Sequence, residues 1–459
     1  MKNPNLKWMP IVLLVLGLSV SCANDNDDFA VIEPEGITNE TTQLIIDWNN
    51  LWLEIDRSAF GMRPTATARS LAYIHLAAYE TCVYDMEGYA SNEARFLELT
   101  IDDSQRAIDI DINIALNTCY SRVMEHFMYN VTGGLETLIG QLEEEKDTQF
   151  SAGLSNDLLQ DSRDWGNYVA ERVIAYSQTD IEAEQQILEP QPLSYEPPVG
   201  DGFWTYSADE ERALFPYWES VRTFVISSEE TTTNPPSIIY NETTNSSYYN
   251  EMYEVYESNN AAKVEDNDDL WIAEFWSNDV EGLMMSPPGR QFSIAGQLVE
   301  QFDLDSELTL ELFLKLGFSL NDAAVSCWAD KYEYMVMRPN VYIEEFIDSE
   351  YETNLYRLIF WPNPSFPGYP SGHSTFASAA AGIMINVFGN DINFTDRTHE
   401  GETEFRGAPR AYNALSDMAE ENAFSRIPLG VHMRIDCTEG YRLGYEISDA
   451  VNSMDLSIN

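Results

Sequence analysis

The sequence predicts an all-α protein made of two packed helical bundles, and three observations carry that expectation. Apolar residues recur at three- and four-residue spacing over long stretches, strand-like alternation is scarce, and 459 residues are too many for one small core. With 44% hydrophobic and 12% aromatic residues, the chain can bury a sizeable interior.

The first element is a targeting segment. Lys2 and Lys7 precede an apolar run from Ile11 to Val20, followed by Ser21 and Cys22. That order fits a secretory signal, and the run is too short for a comfortable membrane span. It resembles a bacterial lipoprotein cleavage site, which predicts a signal peptide over 1–21 and lipidation of Cys22. The product would be exported and membrane-anchored, on the outer membrane or cell surface, facing the periplasm or the outside. A cleaved, soluble secreted form is the alternative. Asn24 to Asp28 open an acidic, solvated tether over 22–40.

From Thr41 the pattern is helical. Leu44, Ile45, Trp48, Leu51, Trp52 and Ile55 form one apolar stripe. Arg63-Pro64 opens an Ala-rich helix through His75 to Tyr79, and Ile108–Met128 and Asp157–Ser177 carry similar spacing. These define an N-terminal bundle over 41–200. Pro190, Pro192, Pro197 and Pro198 mark a break. A C-terminal helical catalytic domain over 201–459 follows, holding a polar insertion at about 229–269 with no clear period. Helical pattern resumes near Asp269.

Charge narrows the function classes. Asp and Glu number 77 against 25 Lys and Arg, a net charge of −52. No basic face is available for a nucleic-acid backbone. Any anion site must concentrate the few cations locally, against the field of the whole molecule. An exported compartment permits disulfides, yet Cys82, Cys119, Cys327 and Cys437 lack tight metal-type spacing. Cys327 and Cys437 read as buried free thiols.

Three segments gather what an oxyanion site needs. In the first, Trp328 to Pro339, Lys331 and Arg338 are seven residues apart. Two helical turns would place both on one face, about 10 Å apart along the axis. Pro339 pushes Arg338 out of helical geometry and ends the helix, so both cations can converge beyond it. In the second, Phe366 to Ser374, the Pro370-Ser371-Gly372 turn offers a hydroxyl and free N–H groups at a helix N-terminus. His373 adds a proton shuttle; the plainer reading is that Ser371 or Ser374 only caps the helix. In the third, Ser425 to Asp436, Pro428 and Gly430 bend the chain, so spacing does not decide whether Arg426 and His432 converge. Asp436 lies one turn after His432 and could orient its ring if the stretch is helical. Of five histidines, His75 reads as a core residue, and His126 and His399 as surface residues. Three clustered cations repel unless an anion neutralises them. The simplest such anion is tetrahedral, phosphate or its analogue vanadate.

Lys331-x6-Arg338-Pro339, Pro370-Ser371-Gly372-His373 and Ser425-Arg426-x5-His432-x3-Asp436 resemble, in order, the three-part signature of the type 2 phosphatidic acid phosphatase and vanadium haloperoxidase superfamily. Trp328, Phe366 and Asp279 (in Trp276-Ser-Asn-Asp279) are similar to the haloperoxidase branch, vanadium chloroperoxidase-like proteins above all. The resemblance implies helical bundles of the haloperoxidase and acid phosphatase type, with vanadate as cofactor. It makes His432 the vanadium ligand. Lys331, Arg338, Ser371, Gly372 and Arg426 hold the oxyanion oxygens, and His373 is the acid–base. Asp279 pairs with Arg426, and Trp328 and Phe366 form the halide pocket. It further implies hydrogen peroxide, halide and small organic acceptors as partners, and hypohalous acid as product. The alternative is an exported acid phosphatase with His432 as a phosphohistidine nucleophile.

Overall fold

Asn39 starts helix α1 (Glu40–Asp56) by accepting the Thr41 and Thr42 amides on its side chain, and the apolar stripe of that helix turns inward. The computed structural model describes residues 36–457, apart from 129–130, 132–133, 207–211, 265–266 and 356–362. The expected signal segment, Cys22 and most of the expected 22–40 tether lie outside the described residues.

Helix α2 (Thr65–Cys82) starts after Pro64 and is buried along its whole length. α3 (Ile112–Phe127), α4 (Glu136–Phe150), α5 (Asn156–Gln178) and α6 (Ile181–Leu188) follow. α4 lies inside the stretch whose pattern reads as helical, although its acidic face leaves little apolar period of its own. A difference falls in the polar insertion. α7 (Ser247–Ala262) is helical there, with Tyr248, Met252, Val255 and Asn259 buried on one face. α8 (Asp268–Phe275) and α9 (Pro287–Phe302) lead to α10 (Ser306–Tyr334), a 29-residue helix packed against both α2 and a later helix, α12 (Gly372–Phe388). One hydrophobic cluster therefore joins Trp48, Leu71 and Trp165 to Phe313, Trp328 and Phe376.

α10 stops at Tyr334 because Met335 adopts left-handed backbone at φ 51°. Arg338 then caps α11 (Pro339–Phe346) in extended conformation. This corrects the expected two-turn spacing: Lys331 and Arg338 do not share a helix, and a turn rather than helical periodicity brings them together. After α12 comes a two-stranded antiparallel ribbon, β1 (Phe394–Asp396) with β2 (Arg410–Tyr412). α13 (Leu415–Phe424), the single turn α14 (Arg426–Leu429) and α15 (Arg434–Asn452) complete the chain.

α15 packs closely on α12, and Gly440 and Gly444 permit the approach. A Cβ at Gly440 would lie 2.5 Å from the Ser371 carbonyl, and one at Gly444 would lie 2.2 Å from the Thr375 carbonyl. The seam holds the start of α15 against the start of α12, where the second and third sequence segments meet. Among the described residues, no helix is long and apolar enough to cross a membrane. Cys82, Cys119, Cys327 and Cys437 are all free and buried. His75 is in the core as expected. His399 is not on the surface: it is buried against Phe275 and Phe405, and His126 is half-buried.

Candidate active site

The three segments converge. Arg338, at the start of α11, donates from Nε to the Phe366 carbonyl (2.9 Å) and from Nη1 to the Val431 carbonyl (3.1 Å). The same Nη1 stands 3.1 Å from His432 Nε2. A guanidinium can only donate, so Nε2 is the acceptor and the ring proton sits on Nδ1. Nδ1 faces Asp436 Oδ2 at 3.1 Å, and the Met433 amide donates to the same oxygen (3.0 Å). His432 itself precedes α15, so Asp436 orients it from the first turn of that helix rather than along it.

Gly430 makes this arrangement possible. Its φ is +93°, and a Cβ there would lie 2.4 Å from the Tyr351 hydroxyl and 2.6 Å from Asn259 Nδ2. Asn259 of α7 donates to the Pro428 and Leu429 carbonyls, and Asn354 to the Pro428 carbonyl. The polar insertion thus braces the bend that turns His432 back towards Arg426.

Arg426 donates from Nη2 to Asp279 (2.6 Å) and from Nη1 to the Ser277 carbonyl (3.3 Å); its Nε is buried with no partner among the described residues. The same carbonyl lies 2.9 Å from His373 Nε2. A carbonyl only accepts, so Nε2 carries the proton and Nδ1 is the basic nitrogen. Burial, then the charge of Arg426, brings His373 down to about 3. Burial and the charges of Arg338, Lys331 and Arg426 hold His432 well below the ordinary histidine range. Both rings are therefore neutral at neutral pH.

Lys331 is fully buried and donates from Nζ to the carbonyls of Pro367 (3.0 Å), Gly368 (3.1 Å) and Pro370 (2.5 Å). Burial lowers its pKa, with Arg338 and Arg426 adding to the fall. Its Nζ lies 5.6 Å from the Trp328 ring centroid and 5.2 Å from that of Phe366, and the two rings stand 4.9 Å apart. Burial raises the Asp436 carboxyl, against the pull of the Met433 amide and the charges of Lys331 and Arg338.

A cavity of about 240 Å³ opens onto this constellation. Asp279, Trp328, Arg338, Phe366, Gly372, His373, Arg426 and His432 lie on its wall. Lys331, Ser371 and Asp436 do not; they stand behind it. Ser371 Oγ accepts the Ser374 amide at 3.4 Å, so the capping reading holds for this residue, and its own amide donates to the Asp436 carbonyl. Sequence reasoning misses Arg63, Asn278 and Glu281, which line the same cavity. Arg63 is visible in the sequence only as the opener of an Ala-rich helix.

The donor set suits a tetrahedral oxyanion. It offers a buried, unspent Arg426 Nε–H, the first-turn amides of α12, clustered cations and a neutral imidazole whose Nε2 lone pair is held by Arg338. An anion here would relieve the mutual repulsion of the cations, worth about 4 kcal/mol per pair at 4 Å and an effective dielectric near 20.

Residues 311–458 match the family described as the VCPO second helical-bundle domain. A solved bacterial vanadium-dependent iodoperoxidase superposes with TM-score 0.77 at 24% identity, covering 93% of this chain and 99% of that one. A bacterial vanadium-dependent chloroperoxidase in its holo form gives 0.64 at 16% identity, covering 85% and 91%. The curated vanadium chloroperoxidase of Curvularia inaequalis is 22% identical over 213 residues, 35% of this chain and 35% of that protein. The chain thus spans about a third of the length of the curated relative it matches. The fold is that of the vanadium-dependent haloperoxidases, as the sequence resemblance implied.

Proposed function

We propose that this protein is a vanadate-dependent haloperoxidase, oxidising halide with hydrogen peroxide to a hypohalous acid that reacts with small organic acceptors. The observation that carries the reading is the Trp328–Phe366 ring pair beside Lys331, on the cavity that also holds His432, Arg338 and Arg426. Those cations and histidines alone would equally serve an acid phosphatase acting through phosphohistidine; an aromatic wall adds nothing to ester hydrolysis and suits a weakly hydrated halide.

His432 would hold vanadate through its Nε2 lone pair, which Arg338 Nη1 must first release. Arg338, Arg426 and Lys331 would neutralise the oxygens and the Gly372 N–H would hydrogen-bond them; Ser371, which stands behind the wall and caps α12, would have to turn its hydroxyl towards them. When bound, vanadate supplies the Lewis acidity that activates peroxide towards halide. Asp436 fixes the His432 tautomer, and Asp279 holds Arg426 in place. His373 presents Nδ1 as the site for taking up and returning a proton. To reach an oxyanion, Lys331 must exchange one of its carbonyl partners; its spacing from both rings leaves it placed to polarise the reacting oxygen.

The test is paired activity on protein lacking residues 1–22. Halogenation that requires added vanadate and is blocked by phosphate supports the reading. Phosphate-ester hydrolysis inhibited by vanadate, without halogenation, overturns it in favour of the phosphatase. We further infer a lipid anchor at Cys22 and export to the outer membrane or cell surface, supported by the basic-then-apolar leader ending in Ser21-Cys22. Cys22→Ser should move the protein from the membrane fraction to the soluble one; retention in the membrane fraction would refute the anchor.

A further inference from the structure

Three buried arginines of this protein are held by ion pairs. Arg69 pairs with Glu184, Arg290 with Asp396 and Arg426 with Asp279, at 3.0, 2.6 and 2.6 Å. Arg63 is only 6% exposed and lines the active-site cavity, yet it forms no ion pair with any described carboxylate. Its Nη2 donates to the Asp56 carbonyl (2.6 Å). Its Nε and Nη1 have no partner among the described residues. Of the nearby carboxylates, Asp56 Oδ2 accepts the Ser286 amide, Glu281 Oε1 the Gly61 amide and Asp279 Oδ2 Arg426, while Asp56 Oδ1 has no hydrogen-bond partner among the described residues and Asp56 is the strongest counter-charge to Arg63. Leaving a charged donor buried and unsatisfied is costly, which the fold tolerates where a ligand completes the site.

We propose that Arg63 is a halide-binding residue, contributed by the N-terminal half of the chain to the wall of the cavity that holds His373 and Arg426. The inference rests on the haloperoxidase reading and extends it. With Nη2 spent on Asp56, the fork that grips a carboxylate or phosphate through two parallel bonds is half used. Single N–H contacts remain, which suit a monatomic anion. The cavity wall beside them includes Leu214, Pro64, Pro287 and the Trp328–Phe366 pair, surfaces a large, weakly hydrated halide accepts. A net charge of −52 repels anions at long range, so a seat for halide needs a cation of its own. Asp56, Glu281 and Asp279 oppose that seat and set its affinity low.

The test compares wild type with R63Q and R63K in two arms. In turnover, R63Q should raise the KM for bromide or iodide roughly tenfold, and R63K should recover part of the loss. The KM for peroxide, the vanadate affinity and Tm should stay unchanged. In the second arm, bromide NMR line broadening without turnover should be present in wild type and lost in R63Q. An unchanged halide KM in R63Q overturns the proposal. So does a parallel loss of vanadate affinity or Tm, which marks a structural role, or a shift confined to the organic acceptor. Arg63-dependent broadening in a protein that does not halogenate would keep the halide seat and refute the enzyme reading. Absence of broadening in wild type would refute the seat.

Discussion

His75 and His432 are almost equally buried, 2% and 3% exposed, and their surroundings could hardly differ more. His75 sits among rings, stacked on Phe292 at 4.7 Å and edge-on to Phe313 at 4.9 Å, and its Nδ1 has no partner among the described residues. Burial alone lowers its pKa, to about 3. His432 lies between a carboxylate on Nδ1 and a guanidinium on Nε2, with two further cations near. Both rings are neutral, but only His432 has a lone pair aimed by its neighbours. Burial makes a histidine uncharged; directed partners make it a ligand or a nucleophile.

The sharpest way to break that contrast is to remove the ring. His432→Ala should abolish vanadate and phosphate binding, read by titration calorimetry, while far-UV circular dichroism stays that of wild type. Vanadate affinity equal to wild type would remove His432 from the site. A smaller effect should follow from removing the partner and keeping the ring. Asp436→Ala leaves Nδ1–H unpaired and frees the tautomer, so vanadate affinity should fall about 10- to 100-fold. If affinity does not change, Arg338 alone fixes the ring and Asp436 does not orient it.

The same contrast shows what the sequence could reveal. The helical stripes of α1, α2, α3 and α5 were legible because one face is continuously apolar. The three motifs were legible because Lys331, Arg338, Ser371, His373, Arg426 and His432 bring cations and histidines together in an acidic chain. What lay outside local spacing was not. The left-handed Met335 ends α10 early, and nothing around it signals that turn. The convergence of Arg426 and His432 depends on Asn259 and Asn354, which are distant in sequence and sit in or near a stretch without period. His399 was misplaced because its burial comes from Phe275, far earlier in the chain, and from Phe405 packing back over it. Arg63 was hidden for the same reason, since its place on the cavity wall is a property of the fold.

The smallest effect expected is also the most specific to the core histidine. Unfolded, His75 titrates near 6.5; folded, burial holds it at about 3. Between those values the unfolded chain binds the proton and the native state does not, so stability is present above 6.5 and is lost as pH falls towards 3. The slope from this one group is at most about 1.4 kcal/mol per pH unit. His75→Phe, which fills a similar ring-lined space, should flatten the acid limb of a urea-melt stability profile across that window. It should leave vanadate affinity at the wild-type value. An acid limb as steep as wild type would mean that His75 is already protonated in the native core. A drop in vanadate affinity would mean that the core beneath α10 is coupled to the site, and the distinction between the two buried histidines would fail.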